Sequence, residues 1–316
     1  LSTGMTNDVR GAKIRAALSE NGVDIPAPNG CPLCDDLFDM LDLFAESVAE
    51  KVNDVETDNF LVGSRVDPEI LQKEKEICTK YDLEHFESIK TELNREIGKV
   101  ALPMIHRPVE FKNPQCVACI DTRFANVDLD LAPIFIKGRY NKLSREIPQT
   151  IWPCRVCKGK GCPRCHDTGK MYQTSVQEII GDIALKMFDG KEHFFHGMGR
   201  EDIDALCLGE GRPFVLEISQ PRRRDADLDE LELLANESEL AQYHYLQFTN
   251  RDEVKATKLA TPSKTYRVKV KAEGETVSIN ITSNTSWKIE ESVETSRVIL
   301  FSDICLENSF SHCLFK

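Results

Sequence analysis

Apolar positions recur with a period that changes along the chain, and each change marks an element. Residues 9–20 place Ile14, Ala17 and Leu18 on one helical face, and Asn21-Gly22 with the run from Pro26 to Gly30 ends that helix. From Asp35 to Val52, the residues Leu37, Met40, Leu41, Phe44, Val48 and Val52 again follow helical spacing. Residues 60–63 read as a short strand. Asp67 and Pro68 suit the cap and first turn of a long helix whose pattern runs to about Lys99. Residues 114–123 and 131–137 are strand-like. Further on, a helix is expected over Ser175–Phe188, a strand over 213–218 and an acidic helix over 225–241. Tyr266, Val268 and Val270 alternate as a strand with one buried face. Beyond Lys271 the pattern lapses. Residues 278–297 are rich in Ser, Thr and Asn, and 298–316 form an apolar tail with Cys305 and Cys313. No internal repeat of 20–50 residues is evident.

With 316 residues, of which 41% are apolar, the chain can build two or three packed domains. It contains neither a run of about 18 apolar residues nor a basic-then-apolar leader. A cytoplasmic chain without membrane contact is therefore expected. In that setting 12 cysteines, eight of them in C-x-x-C pairs, point to metal rather than disulfides. Cys154, Cys157, Cys162 and Cys165 have the spacing C-x2-C-x4-C-x2-C. Two tight turns of this kind set four thiolates around a tetrahedral Zn²⁺, with Gly159 and Gly161 letting the connection fold back. Cys31 and Cys34 form a half-site. Its partners are either Cys116 and Cys119, which lie in a strand-like run and read more simply as partly buried thiols, or a pair upstream of Leu1. Cys78 and Cys207 read as small core residues.

The net charge of −12 taken alone argues against a nucleic-acid partner, but it is unevenly spread. Residues 137–170 carry +7, residues 137–224 carry +5, and the rest of the chain −17. A basic surface interleaved with Tyr140 and Trp152, and including Arg222-Arg223-Arg224, suits a polyanion bound at one place.

Residues 138–224 carry a resemblance. GRYNKLSREIPQT, the cysteine knuckle and GREDIDALCLGEGRPFVLEISQPRRR are similar to the archaeal and eukaryotic pseudouridine synthases that modify uridines 54 and 55 in the T-loop of tRNA. Upstream, CPLCDDLF and FLVGSR resemble the accessory domain of that family, which contains a THUMP-type RNA-binding module. The resemblance implies an α+β protein: a helical remnant over 1–30, a THUMP-containing α/β domain over 31–135, and a catalytic mixed α/β sheet domain over 136–272. A four-cysteine zinc knuckle at 152–170 is inserted in the last. It implies a monomeric tRNA-modifying isomerase that uses structural zinc and no organic cofactor. The catalytic residue maps to Asp202, acting as nucleophile or base at the ribose or by addition to the uracil ring. Arg200 supports it, either by holding Asp202 ionised or by contacting phosphate. Tyr266 stacks on the flipped base. Arg139, Lys142 and Arg145 are candidate tRNA phosphate contacts. His193 and His196 read as surface residues. The knuckle also resembles half of the cysteine-rich repeat of J-domain chaperones, a weaker match.

Two departures set further expectations. The family carries a C-x-x-C and L-G-R ahead of the first segment matched here, so a chain opening on Leu1 is expected to start inside the domain, with Cys31/Cys34 deprived of partners. Residues 273–316 are read as an atypical tail, from a frameshifted or prematurely ended reading frame, in place of the basic element and later strands of the family. A truncated catalytic sheet is expected to weaken activity, which leaves a non-catalytic tRNA-binding zinc protein as the alternative.

Overall fold

The computed structural model describes residues 6–26, 29–83, 86–261, 264–272, 275–284 and 286–291, the side chains of Asn7, Asp8 and the residues beyond 261 excepted. The expectations for Leu1, Cys305 and Cys313 lie outside the described residues.

Helix α1, Asn7–Glu20, is capped by Thr6, whose hydroxyl accepts from the Val9 N–H. Helix α2, Leu41–Asn53, buries Phe44, Ala45, Val48 and Val52, the stripe the spacing predicts. Strand β1, Leu61–Arg65, leads into α3, Pro68–Lys80. The single long helix expected to Lys99 is two helices. Asp82 turns into the left-handed region (φ 51°), and Ser88 starts α4, Ile89–Ile105, its backbone cap accepted by the Ser88 side chain from Thr91 N–H at 3.2 Å. Apolar spacing continues across both helices, so periodicity alone does not reveal the break. Strands β2, Cys116–Asp121, and β3, Asn126–Leu131, complete a sheet of order β1-β2-β3, parallel and then antiparallel. Helices α2 and α4 supply most of the helical side of this first core, which runs from Cys34 to Leu131.

A second core begins at Ile134. Strand β4, Ile134–Lys142, is the second central strand of an antiparallel sheet of order β5-β6-β4-β7, with β5 at Glu192–Gly197, β6 at Cys207–Ser219 and β7 at Ala241–Thr249. Ile134, Ile136 and Tyr140 face one side, where α5 (Val176–Phe188) and α6 (Leu228–Ala235) pack. Phe135 and Val215 face the other, against Val254 of α7, Arg251–Leu259. The acidic helix expected to reach 241 therefore stops at Ala235. Asn236 closes it by exchanging hydrogen bonds with the backbone of Tyr243, and Ala241 already belongs to β7.

The two cores are stapled by Arg222 and Arg224 of the arginine triple. Arg222 pairs with Asp54 and Asp189, Arg224 donates to the Ala132 carbonyl at 2.8 Å, and the Glu56 carboxylate accepts the backbone N–H groups of Arg224 and Asp225 at 2.6 and 3.1 Å. Arg222 and Arg224 thus serve the fold, which corrects their reading as part of a polyanion surface, while the Arg223 side chain stays exposed.

From Ala260 the chain enters a separate unit. There β8 (Lys264–Ala272), β9 (Glu275–Asn284) and β10 (Ser286–Glu291) form an antiparallel meander, and Tyr266 stands opposite Ile281. Among the described residues no helix is long and apolar enough to cross a membrane.

Candidate active site and metal centre

The loop from β5 to β6 carries Gly199-Arg200-Glu201-Asp202, and it is held almost atom by atom. Lys142, at the end of β4, has no exposed surface. Its ammonium donates to the carbonyls of Ile147 (3.1 Å), Asp202 (3.1 Å) and Ile203 (2.6 Å), which matches three donors to three acceptors. Burial pushes the Lys142 pKa down, with the charges of Glu201 and Asp204 opposing that shift. A second anchor runs through Glu201. Its Oε2 accepts from the Tyr140 hydroxyl at 2.7 Å and lies 3.0 Å from Arg212 Nε. Gln149 donates to that same hydroxyl (2.7 Å) and to the Gly199 carbonyl (3.0 Å), while Arg212 donates to the Met198 carbonyl (3.0 Å). Gly197 is required where the loop leaves β5, because a Cβ there would lie 2.5 Å from Gln149 Nε2. Arg145 donates to the Asp204 carbonyl at the far end.

Against this fixed backbone the Asp202 side chain is exposed, and among the described residues neither a hydrogen bond nor an ion pair engages its carboxylate. Arg200 does not pair with it. The Arg200 guanidinium lies 6.0 Å from the centroid of the Trp152 ring, which is itself edge-on to Tyr172 at 5.7 Å. Of the two roles expected for Arg200, the ion pair with Asp202 is thus not formed, a cation–π contact standing in its place, and contact with phosphate is left as its expected role.

The four cysteines of 154–165 converge. Their sulfurs lie within 4.8 Å of one another, and three of the separations are 3.9 Å (Cys154–Cys162), 3.8 Å (Cys157–Cys165) and 3.7 Å (Cys162–Cys165). A tetrahedron of four thiolates at metal–sulfur distances of about 2.3 Å has edges of about 3.8 Å, so this set fits a metal ion. Backbone amides of Cys162 and Gly169 point at Cys165 Sγ, both at 3.3 Å. The N–H groups of Cys157 and then Val156 draw the Cys154 thiol down to about 6. Gly169 (φ 70°) is obligatory, because a Cβ would come within 2.4 Å of the Gly159 carbonyl oxygen. A bridge between Pro153 and Lys170 closes the base of the module.

Comparison with known proteins identifies this arrangement. A family model described as Pus10, C-terminal, matches residues 135–296, and one described as Pus10 THUMP domain, archaeal, matches residues 44–121. The chain belongs to the Pus10 family. It is similar to the tRNA pseudouridine synthase Pus10 of Methanothermobacter marburgensis, at 43% identity over 77% of this chain and 62% of the relative. The protein of the same name from Methanopyrus kandleri is 44% identical over 66% of this chain and 49% of the relative. That from Korarchaeum cryptofilum is 34% identical over 79% and 68%. The chain thus spans 62% and 49% of the length of the first two relatives. The Pus10 C-terminal match takes in β8 with Tyr266 and also residues 278–296, which inspection of the sequence leaves outside the resemblance.

Within the Pus10 frame several residues change role. Burial removes Lys142 from the candidate phosphate contacts and makes it a loop anchor. Arg139 donates to the carbonyls of Glu210 (2.7 Å) and Gly211 (2.8 Å), bracing the start of β6, and Arg145 is exposed while holding Asp204. Tyr140, expected on a basic surface, is a fully buried core residue, and burial, then the charge of Glu201, raises its hydroxyl pKa. The two histidines are not free surface groups. The His193 ring is 6% exposed between Gln177 and Asp182, and His196 Nε2 meets Glu217 at 2.8 Å. The Tyr266 side chain lies outside the described residues.

Cys34 is buried in the first core, its thiol raised to about 11 by burial and then by Cys31. Cys116 and Cys119 cannot chelate as a pair, because residues three apart on β2 face opposite sides, Cys116 inward and Cys119 outward. Among the described residues, 154–165 is the only cluster able to hold a metal. Gln149, Glu201 and Arg212 went unassigned by sequence reasoning. Glu201 and Arg212 both sit in the segment GREDIDALCLGEGRPFVLEISQPRRR, as opposite charges that only the fold brings together.

Proposed function

We propose that this chain isomerises uridine to pseudouridine in tRNA, with Asp202 as the catalytic carboxylate. The observation that carries the reading is the contrast at Asp202 itself: its backbone and neighbours are clamped by Lys142, Gln149 and Arg212, while its carboxylate is left unengaged and open to solvent. In this reaction the N1–C1′ bond breaks, the C5–C1′ bond forms, and a proton leaves C5 while N1 gains one. No electrons enter or leave, so a carboxylate on a rigid loop is a sufficient chemical endowment. Asp202 acts at the ribose or on the uracil ring. The clamp removes the orientational freedom that would otherwise be lost on reaching the transition state.

The family supports tRNA as substrate, and the T-loop uridines 54 and 55 are the targets the resemblance implies. Tyr266 is proposed to stack on the flipped base, and Arg139 and Arg145 keep enough exposure to meet phosphate. Cys154, Cys157, Cys162 and Cys165 would hold structural Zn²⁺, which organises the knuckle and takes no part in the bond changes.

The test is turnover on unmodified tRNA with chemical mapping of pseudouridine at both T-loop positions. The expected result is conversion that Asp202→Asn abolishes while RNA binding persists. Conversion that survives Asp202→Ala would overturn the assignment. Binding without conversion by the parent chain would favour a non-catalytic RNA-binding protein.

A further inference from the structure

The metal module displays more positive charge than its own structure uses. Arg155, Lys158, Lys160 and Arg164 are all exposed, and among the described residues none of the four meets a carboxylate. Lys170 at the base, in contrast, is committed to Glu178. Asp167 is the one acid between 154 and 170. The thiolate charge of a loaded site sits inside the module, with Cys154 and Cys165 buried and backbone N–H groups directed at sulfur. The cationic head groups are on the outside.

The same module is joined to the loop that carries Asp202. The Met171 N–H donates to the Trp152 carbonyl at 2.9 Å, so Trp152 is fixed to the base of the knuckle two residues before Cys154. Its ring lies under Arg200, two residues before Asp202. A strand whose reacting nucleotide sits at the Asp202 carboxylate therefore has an aromatic–guanidinium joint next to it and four unpaired cations beyond.

We infer that the face formed by Arg155, Lys158, Lys160 and Arg164 docks the sugar–phosphate backbone of the RNA beside the target nucleotide, with Trp152 and Arg200 aligning it to Asp202. This rests on the synthase reading of the Asp202 loop. Four exposed cations within ten residues of chain, none of them on a carboxylate among the described residues, suit a chain of phosphates, and each contact releases counterions, which makes the docking salt-dependent.

The experiment uses the zinc-loaded chain and a variant carrying Arg155→Gln, Lys158→Gln, Lys160→Gln and Arg164→Gln. Zinc content and thermal midpoint establish that the module is intact. Binding to unmodified tRNA across a salt series and steady-state turnover are then compared. The expected result is a salt slope shallower by about 3, from four phosphate contacts at about 0.7–0.9 each. KM rises about tenfold or more, with kcat changing much less. Trp152→Ala is expected to lower kcat more than affinity, with Trp152→Phe restoring most of it. An unchanged slope and KM in a well-folded quadruple variant would overturn the proposal, as would equal competition by polyglutamate, which points to an acidic protein partner instead. If the parent chain converts no uridine at all, the synthase reading fails. If it converts uridine and the quadruple variant behaves identically, only the docking face fails.

Discussion

Lys142 Nζ donates to the carbonyl oxygen of Asp202 at 3.1 Å, so a cation with no exposed surface holds the backbone of the residue whose carboxylate faces solvent. The anchor and the proposed catalytic carboxylate are 60 positions apart in the chain and belong to the end of β4 and the loop after β5. Rigidity behind the group and openness in front of it are what an acid–base or nucleophilic carboxylate needs.

Lys142→Met keeps the aliphatic stem and deletes three donors. The carbonyls of Ile147, Asp202 and Ile203 lose their partners, at about 1–3 kcal/mol for each one left dry. Partial hydration brings the expected loss to about 3 kcal/mol, or about 6–12 °C in thermal midpoint. Turnover is expected to fall further than RNA affinity, because the loop is loosened and the binding surface is not. A variant with the parent midpoint would show that the ammonium is not the anchor.

Glu201 and Arg212 form a pair whose side chains are only 5% and 14% exposed. Removing one partner of such a pair strands the other, so Glu201→Gln is expected to cost about 3–5 kcal/mol. The double variant with Arg212→Met should cost clearly less than the two single changes added together. Denaturant unfolding of all four proteins measures the coupling, and simple additivity would refute it.

Glu56 joins the two cores through the N–H groups of Arg224 and then Asp225, which hold its carboxyl below the ordinary range. A folded pKa below the unfolded value stabilises at pH above about 4.3, and that contribution is lost as pH falls through the folded value. Glu56→Gln removes the charge. The denaturation midpoint of the parent should exceed that of the variant at pH 6, and the two should converge as pH drops toward 3.

Gly169 donates its N–H to Cys165 Sγ and has no space for a Cβ. Gly169→Ala is expected to weaken zinc by about tenfold or more, the scale typical of lost outer-shell support. Competition with a chromogenic chelator reads this directly, and Gly22→Ala, at a turn with nothing within 4 Å, serves as the control. Equal zinc affinity in Gly169→Ala would show that the turn tolerates a side chain.

Legibility differed by element for physical reasons. Helices α2 and α5 were readable because each buries one stripe, and a stripe at 3.6-residue spacing is a property of the local chain. Strand β3, Asn-Val-Asp-Leu-Asp-Leu, escaped notice because only its last residue is fully buried, so its short, polar run resembles a loop. The split between α3 and α4 escaped because it depends on Asp82 and Ser88 at a bend, while the apolar positions on either side keep one rhythm.

At the site, the sequence by itself determined the chemistry on offer: an aspartate in Gly-Arg-Glu-Asp and four cysteines close enough along the chain to meet without help from distant elements. Only the tertiary structure decided what surrounds them. Whether a lysine reaches RNA or is spent on three carbonyls depends on burial, and Lys142 and Arg155 are both cations in the same basic stretch. Burial is set by which strand covers which helix, so it joins residues such as Tyr140 and Glu201, 61 positions apart, whose contact leaves no trace in local spacing.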